Sequence, residues 1–193
     1  MNLKRTLLKT AIAGAVLPVT SVHAAAKLKG PRADYFPNAV LKTHEGKTVR
    51  FYDDVMHGDK RVIINMMYGV CANICPPATA NLVKVQEMLG DRIGRDIFMY
   101  SLTLQPEFDT PEVLHAYREK YGIKPGWTFL TGRRGDMEAI RRKLGFFDRD
   151  AVLDSNLSQH TGMLRLGREA YDRWSMMPAL LTPKQIVNSV IRL

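Results

Sequence analysis

Three observations predict an α/β fold, a central mixed sheet flanked by helices. Residues 61–67 (Arg-Val-Ile-Ile-Asn-Met-Met) and 96–104 (Asp-Ile-Phe-Met-Tyr-Ser-Leu-Thr-Leu) are near-continuous apolar runs, the pattern of strands buried on both faces. A stretch of helical periodicity separates them, and strand-like and helical segments keep alternating toward the C-terminus. The chain has 193 residues, 46% hydrophobic and 24% charged, which suffices for one domain with its own core. Two cysteines are too few for a disulfide scaffold or a four-cysteine zinc site. No repeat of about 20–50 residues is visible, which excludes solenoids and propellers.

The elements follow in order. Residues 1–9 carry Lys4, Arg5 and Lys9 and no acid, and residues 10–22 are uncharged and mostly apolar. Val22-His23-Ala24 and Ala24-Ala25-Ala26 then offer the small residues a signal peptidase reads. A membrane helix needs about 20 apolar residues, so residues 1–24 are expected to be a cleaved bacterial signal peptide, with cleavage after residue 24 or 26. An uncleaved inner-membrane anchor facing the periplasm is the alternative. Either way the chain is placed in the periplasm. Residues 25–45, rich in Pro, Gly and charge up to Ala39, read as an N-terminal arm, and residues 46–193 as the folded domain.

Residues 48–52 (Thr-Val-Arg-Phe-Tyr) are a short strand candidate, followed by a turn at Gly58-Asp59 and the first central strand at 61–67. Pro76-Pro77 suits the opening of a helix, whose Leu82, Val85 and Leu89 recur at helical spacing until Gly90. After the second central strand, Asp109-Thr110-Pro111-Glu112 opens a helix that runs to Tyr121. Residues 127–130 give a third strand. Residues 136–144 give a helix with Met137, Ile140 and Leu144 on one side. Residues 163–166 and 170–174 read as a hairpin joined through Gly167-Arg168, and Thr182-Pro183 opens a last amphipathic helix with Ile186, Val187, Val190 and Ile191 as its apolar side. A hairpin followed by a helix after three strand–helix units suits a thioredoxin-like layout. Such sheets place their chemistry at the turn after the first central strand.

That turn holds Cys71-Ala72-Asn73-Ile74-Cys75. Positions i and i+4 of a helical turn share a face, within reach of a disulfide or a shared metal, and a helix N-terminus favours the thiolates. Cys71 and Cys75 are therefore expected as a redox-active pair, or as thiolate ligands of a soft ion such as copper(I), which a third donor would complete. His44 and His57 lie in polar segments, His115 sits on a helix among charges, and His160 stands in the polar loop before the hairpin. In a thioredoxin-like sheet that loop lies beside the cysteine turn. Met66-Met67 and Met176-Met177 invite a thioether role, but methionine fills core gaps readily and both pairs are expected in the core.

Four stretches, in this order, resemble the Sco/SenC copper-chaperone family: Tyr68-Gly69-Val70-Cys71-Ala72-Asn73-Ile74-Cys75-Pro76, Gln105-Pro106-Glu107-Phe108-Asp109-Thr110-Pro111-Glu112, Trp127-Thr128-Phe129-Leu130-Thr131-Gly132, and His160 before a strand. The resemblance implies a thioredoxin-like fold with one copper ion held by Cys71, Cys75 and His160. It also implies delivery of copper to, or reduction of the cysteines of, the binuclear copper site of cytochrome c oxidase. The partners it implies are that copper-site subunit, or another copper protein, and a thioredoxin-like reductant. Asn73 and Gln105 depart from the pattern, since the family usually has Asp at both places. Neither is one of the three ligands so implied, and their loss leaves the client open.

The alternative is a thiol–disulfide oxidoreductase without metal, one thiolate attacking and the other resolving. The three-residue spacing and His160 favour the metallochaperone, which is not itself an enzyme. A thiol peroxidase is weakened by Tyr68, which stands where those enzymes keep a threonine. The formal charge of +9 falls to +6 without Lys4, Arg5 and Lys9. The remaining basic residues are dispersed, with no run interleaved with aromatics, so no nucleic-acid partner is expected.

Overall fold

The structure is a computed structural model that describes residues 30–160 and 162–193. The expected signal peptide and its cleavage sites lie outside those residues. Among the described residues, seven strands form one mixed sheet in the order β2-β1-β5-β4-β3-β6-β7. They are β1 (Val40–Thr43), β2 (Thr48–Arg50), β3 (Arg61–Met67), β4 (Ile97–Thr103), β5 (Trp127–Gly132), β6 (Met163–Arg168) and β7 (Arg173–Pro178). β3, β4 and β5 run parallel, while β1, β6 and β7 add antiparallel edges. The helices are α1 (Cys75–Leu89), α2 (Pro111–Lys120), α3 (Arg134–Leu144), α4 (Ala151–Ser155) and α5 (Pro183–Ile191).

The apolar run of β3 feeds two cores at once. Ile63 and Met67 pack under α1, α2 and α5 with Leu82, Val85, Leu114 and Ile186. Val62, Ile64 and Met66 face the other side with Met137, Ile140 and Leu144 of α3 and with Phe36 and Phe51. This two-sided burial is why β3 reads as a continuous apolar run rather than an alternating one. Met66 and Met67 are both in the core, as expected.

Three expectations are corrected. The segment assigned to an arm at 25–45 is built into the sheet from Val40: Leu41 is fully buried and pairs with both Val49 and Gly132, and Phe36 is buried against Phe51 and Trp174. The strand expected at 48–52 stops at Arg50. The Asp54 carboxylate there accepts from the Arg50 N–H (2.7 Å) and curls Phe51–Met56 into a wide helical turn. The hairpin turns later than expected, at Glu169–Tyr171, because Gly167 lies mid-strand opposite Trp174. A β-carbon on Gly167 would fall 2.1 Å from the indole, so its glycine serves a close ring contact rather than a turn. Glu169 fixes the true turn, buried and accepting from the Tyr52 hydroxyl (2.8 Å) and the Arg32 N–H (2.9 Å).

Candidate metal centre

The cysteine loop leaves the C-terminal end of β3 and ends where α1 begins at Cys75. Cys71 therefore precedes the helix, and the two thiols are not stacked on one helical turn. They meet because the loop folds back, with the Cys71 N–H donating to the Tyr68 carbonyl (3.1 Å). Ile74 at the helix cap offers no capping side chain, Pro76 and Pro77 have no N–H and the Ala78 N–H bonds to the Ile74 carbonyl, so the Cys75 N–H is the one in the first turn of α1 left for another acceptor. Cys71 sulfur takes that place, accepting from the Cys75 thiol, the Cys75 and Asn73 backbone N–H groups and the Tyr68 phenol. Burial, the largest single influence, pushes the Cys71 thiol up, but these donors together hold it below the ordinary value. Burial, with the hydrogen bond to Cys71 next, pushes the Tyr68 phenol up to about 12. Cys71 and Cys75 are both buried and free of a disulfide.

Asp109 locks the loop in place, a role the sequence reading missed. Its buried carboxylate accepts from the Gly69 N–H (3.0 and 3.1 Å) and from the Thr103 hydroxyl. A β-carbon at Gly69 would lie 2.7 Å from Asp109 Oδ1, so the approach requires glycine. The available signal was redundancy: Thr110 is the cap of α2, accepting from the Val113 N–H, which leaves the adjacent acid without a local task. Beside it, the side-chain oxygen of Gln105 is buried with no hydrogen-bond partner among the described residues.

His160 ends a short turn at Leu157–His160 and is buried. The loop does pass the cysteines, since a β-carbon at Gly162 would sit 3.8 Å from Ile74 of the cysteine loop. The imidazole itself points elsewhere. Its Nε2 lies 2.8 Å from the Asp154 carbonyl, 3.4 Å from the Asp154 carboxylate and 3.1 Å from Arg141 Nη1. A carbonyl only accepts, so Nε2 carries the ring hydrogen in this arrangement. Arg141 is buried between Glu138 and Asp154 (2.7 and 2.8 Å). Its hydrogen bond holds the Asp154 carboxyl well below the usual carboxylate range, against a smaller opposing effect of burial.

The structure thus brings Cys71 and Cys75 together and leaves His160 on a separate network. No group of three His, Cys, Asp or Glu side chains among the described residues is placed to hold a metal. The other histidines have their own settings: buried His44 accepts the Phe129 N–H at Nδ1 (3.2 Å) and stacks on exposed His115 (6.0 Å), and His57 tilts against Tyr52 (5.6 Å). The donor chemistry of the thiol pair fits a soft monovalent ion: two sulfurs, one of them favoured as thiolate, at a helix N-terminus.

Comparison with known proteins adds three findings. The SCO1/SenC family model matches residues 34–193. A SCO1 protein homolog of Bacillus subtilis (strain 168) is 31% identical over 71 residues, which span 36% of this chain and 36% of that protein. Among solved structures, yeast Sco1 with copper bound superposes with a TM-score of 0.62 at 19% identity, covering 79% of this chain and 87% of that one. BsSco, described with a disulfide switch as a member of the Sco family of cytochrome c oxidase assembly proteins, gives 0.64 at 20% identity over 80% and 90%. Both likenesses concern the fold, which is the thioredoxin-like arrangement of Sco structures.

Proposed function

The chain belongs to the SCO1/SenC family, and on that premise we propose that it is an exported, copper-binding metallochaperone of the periplasm. In this reading Cys71 and Cys75 take one copper ion as thiolates and His160 supplies the third donor. The cargo then passes to the binuclear copper site of a cytochrome c oxidase or a related copper protein, or the dithiol keeps that site's cysteines reduced. The observation that carries the proposal is the pair of buried thiols Cys71 and Cys75, not joined by a disulfide, at the start of α1, where hydrogen bonding from Cys75, Tyr68 and Asn73 holds the Cys71 thiol below its ordinary value. Donors gathered on one sulfur favour its anionic form, and the anionic form is the one that binds metal. Copper reported with yeast Sco1 and oxidase assembly reported for the Sco family support the choice of cargo and client. The leader expected at residues 1–24 supports export, and no helix among the described residues is long and apolar enough to cross a membrane.

His160 must turn from Arg141 and Asp154 toward Ile74 and the cysteines to complete the site. Its loop already runs there at Gly162. A thiol–disulfide oxidoreductase, served by a thioredoxin-like reductant, is the second reading, favoured by the thiol pair standing together without the histidine. Copper(I) titration of the reduced full chain, followed by thiolate-to-copper absorption in the near ultraviolet, separates the two. One thiolate-bound copper per chain is expected, its absorption lost in Cys71→Ser and Cys75→Ser and its affinity lowered at least tenfold in His160→Ala. A reduced wild type that shows no such absorption on adding copper(I) would move the assignment to the oxidoreductase.

A further inference from the structure

Met176, expected in the core, packs against its edge half-buried and opens on a cavity of about 230 Å³. Phe146 and Phe147 help to wall this cavity, and His160, Met163, Met176 and Asp148 line it. The hairpin sets the two thioethers side by side. Met163 pairs with Pro178 and Arg165 with Met176, so Met163 and Met176 are diagonal neighbours on one face, about 7–8 Å apart or closer at Cβ. Two flexible side chains of that length reach a common point. His160 commits Nε2 to the Asp154 carbonyl, which leaves Nδ1 as the ring nitrogen to coordinate.

We propose that this cavity is a second copper(I) site, formed by the Met163 and Met176 thioethers and His160 Nδ1 and separate from the cysteine pair. Thioether sulfur selects copper(I) among the common metal ions, and imidazole suits copper. The two thioethers have no proton to lose on binding, unlike the thiols. Neutral ligands need a field that tolerates a cation. Arg141 and Arg142 are each paired with Glu138 and Asp154, and Asp148 adds negative charge to the lining. Zinc, which prefers thiolate, imidazole and carboxylate ligands, is poorly served by two thioethers. One imidazole cannot hold both sites at once. On the reading of the thiol pair given above, His160 therefore loads the two sites alternately.

The test uses the full chain with Cys71→Ser and Cys75→Ser together, titrated without oxygen with copper(I) and, as a redox-silent probe, with silver(I). One equivalent should bind. The ε-methyl resonances of Met163 and Met176 should shift while those of Met66 and Met67 stay. Adding Met163→Leu and Met176→Leu, which conserve volume, should weaken binding at least tenfold and leave the unfolding midpoint nearly unchanged. Should the serine variant not fold, the disulfide-oxidised wild type, with its thiols withdrawn, gives the same silver readout. No binding when the thiols are removed, or binding that survives both leucines undiminished, overturns the site. Thiolate-to-copper absorption present in wild type and absent from the single cysteine variants reports on the thiol pair instead, so the two sites fail separately.

Discussion

Asp109 shows how much of the cysteine site depends on one residue outside it. Its carboxylate joins the Gly69 amide of the cysteine loop to Thr103 at the end of β4, so the loop's path is set from a neighbouring strand. Burial pushes the Asp109 carboxyl up, with the Thr103 and Gly69 donors opposing. Asp109→Asn keeps the shape but turns an NH₂ toward a donor. A loss of about 1.5–3 kcal/mol is expected, the usual worth of a buried hydrogen bond to a charged group. Urea unfolding should show a lower midpoint at unchanged slope, and amide exchange at Gly69 should quicken. An unaltered midpoint would mean that the loop is held by its own contacts. In the sequence, Asp109 was legible as part of a helix start and of a family-like stretch but not as a lock on the loop, because its partners lie 40 and 6 residues away and no local pattern encodes them.

At the scale of elements, what the sequence disclosed and what it hid divide along the same line. β3 and β4 were legible because burial on both faces leaves an unbroken apolar run, and α2 and α5 because Thr-Pro pairs mark their first turns. The hairpin end was misplaced because Gly167 is a packing glycine under Trp174. The shared helical face of the two cysteines was misjudged because Cys71 lies in the loop before α1, whose cap is Ile74. The position of His160 in its loop was legible. Its orientation was not, since that follows from the long-range pairing of α3 with α4 through Arg141 and Asp154.

The same pairing yields a prediction for α4, which has five residues and is too short to persist alone. A carboxylate held below its ordinary value adds stability that is present above that value and lost as pH falls through the folded-state value. The contribution of Asp154 should therefore persist at neutral pH and fade only below pH 3.8. Asp154→Asn should cost about 1–3 kcal/mol at pH 7, with Glu138 still pairing Arg141. It should also quicken amide exchange across residues 148–160 while β3 keeps its protection. A wild type and variant that differ equally at pH 3 and pH 7 would place the effect elsewhere.

Across the whole molecule, the sheet supplies a rigid frame and the C-terminal ends of β3 and β4 present the chemistry. Cys71 and Cys75 leave β3, Asp109 follows β4, and the His160 loop feeds β6, the other neighbour of β3. Three segments far apart in sequence thus converge on one end of one strand. In the proposed function they converge on copper. X-ray absorption at the copper edge of the reduced, copper(I)-loaded full chain tests it most directly. Two sulfur scatterers and one nitrogen are expected at one copper per chain, with the nitrogen lost in His160→Ala and both sulfurs lost in Cys71→Ser/Cys75→Ser when Met163 and Met176 are also replaced by Leu. Two sulfurs retained in that fourfold variant would overturn the assignment.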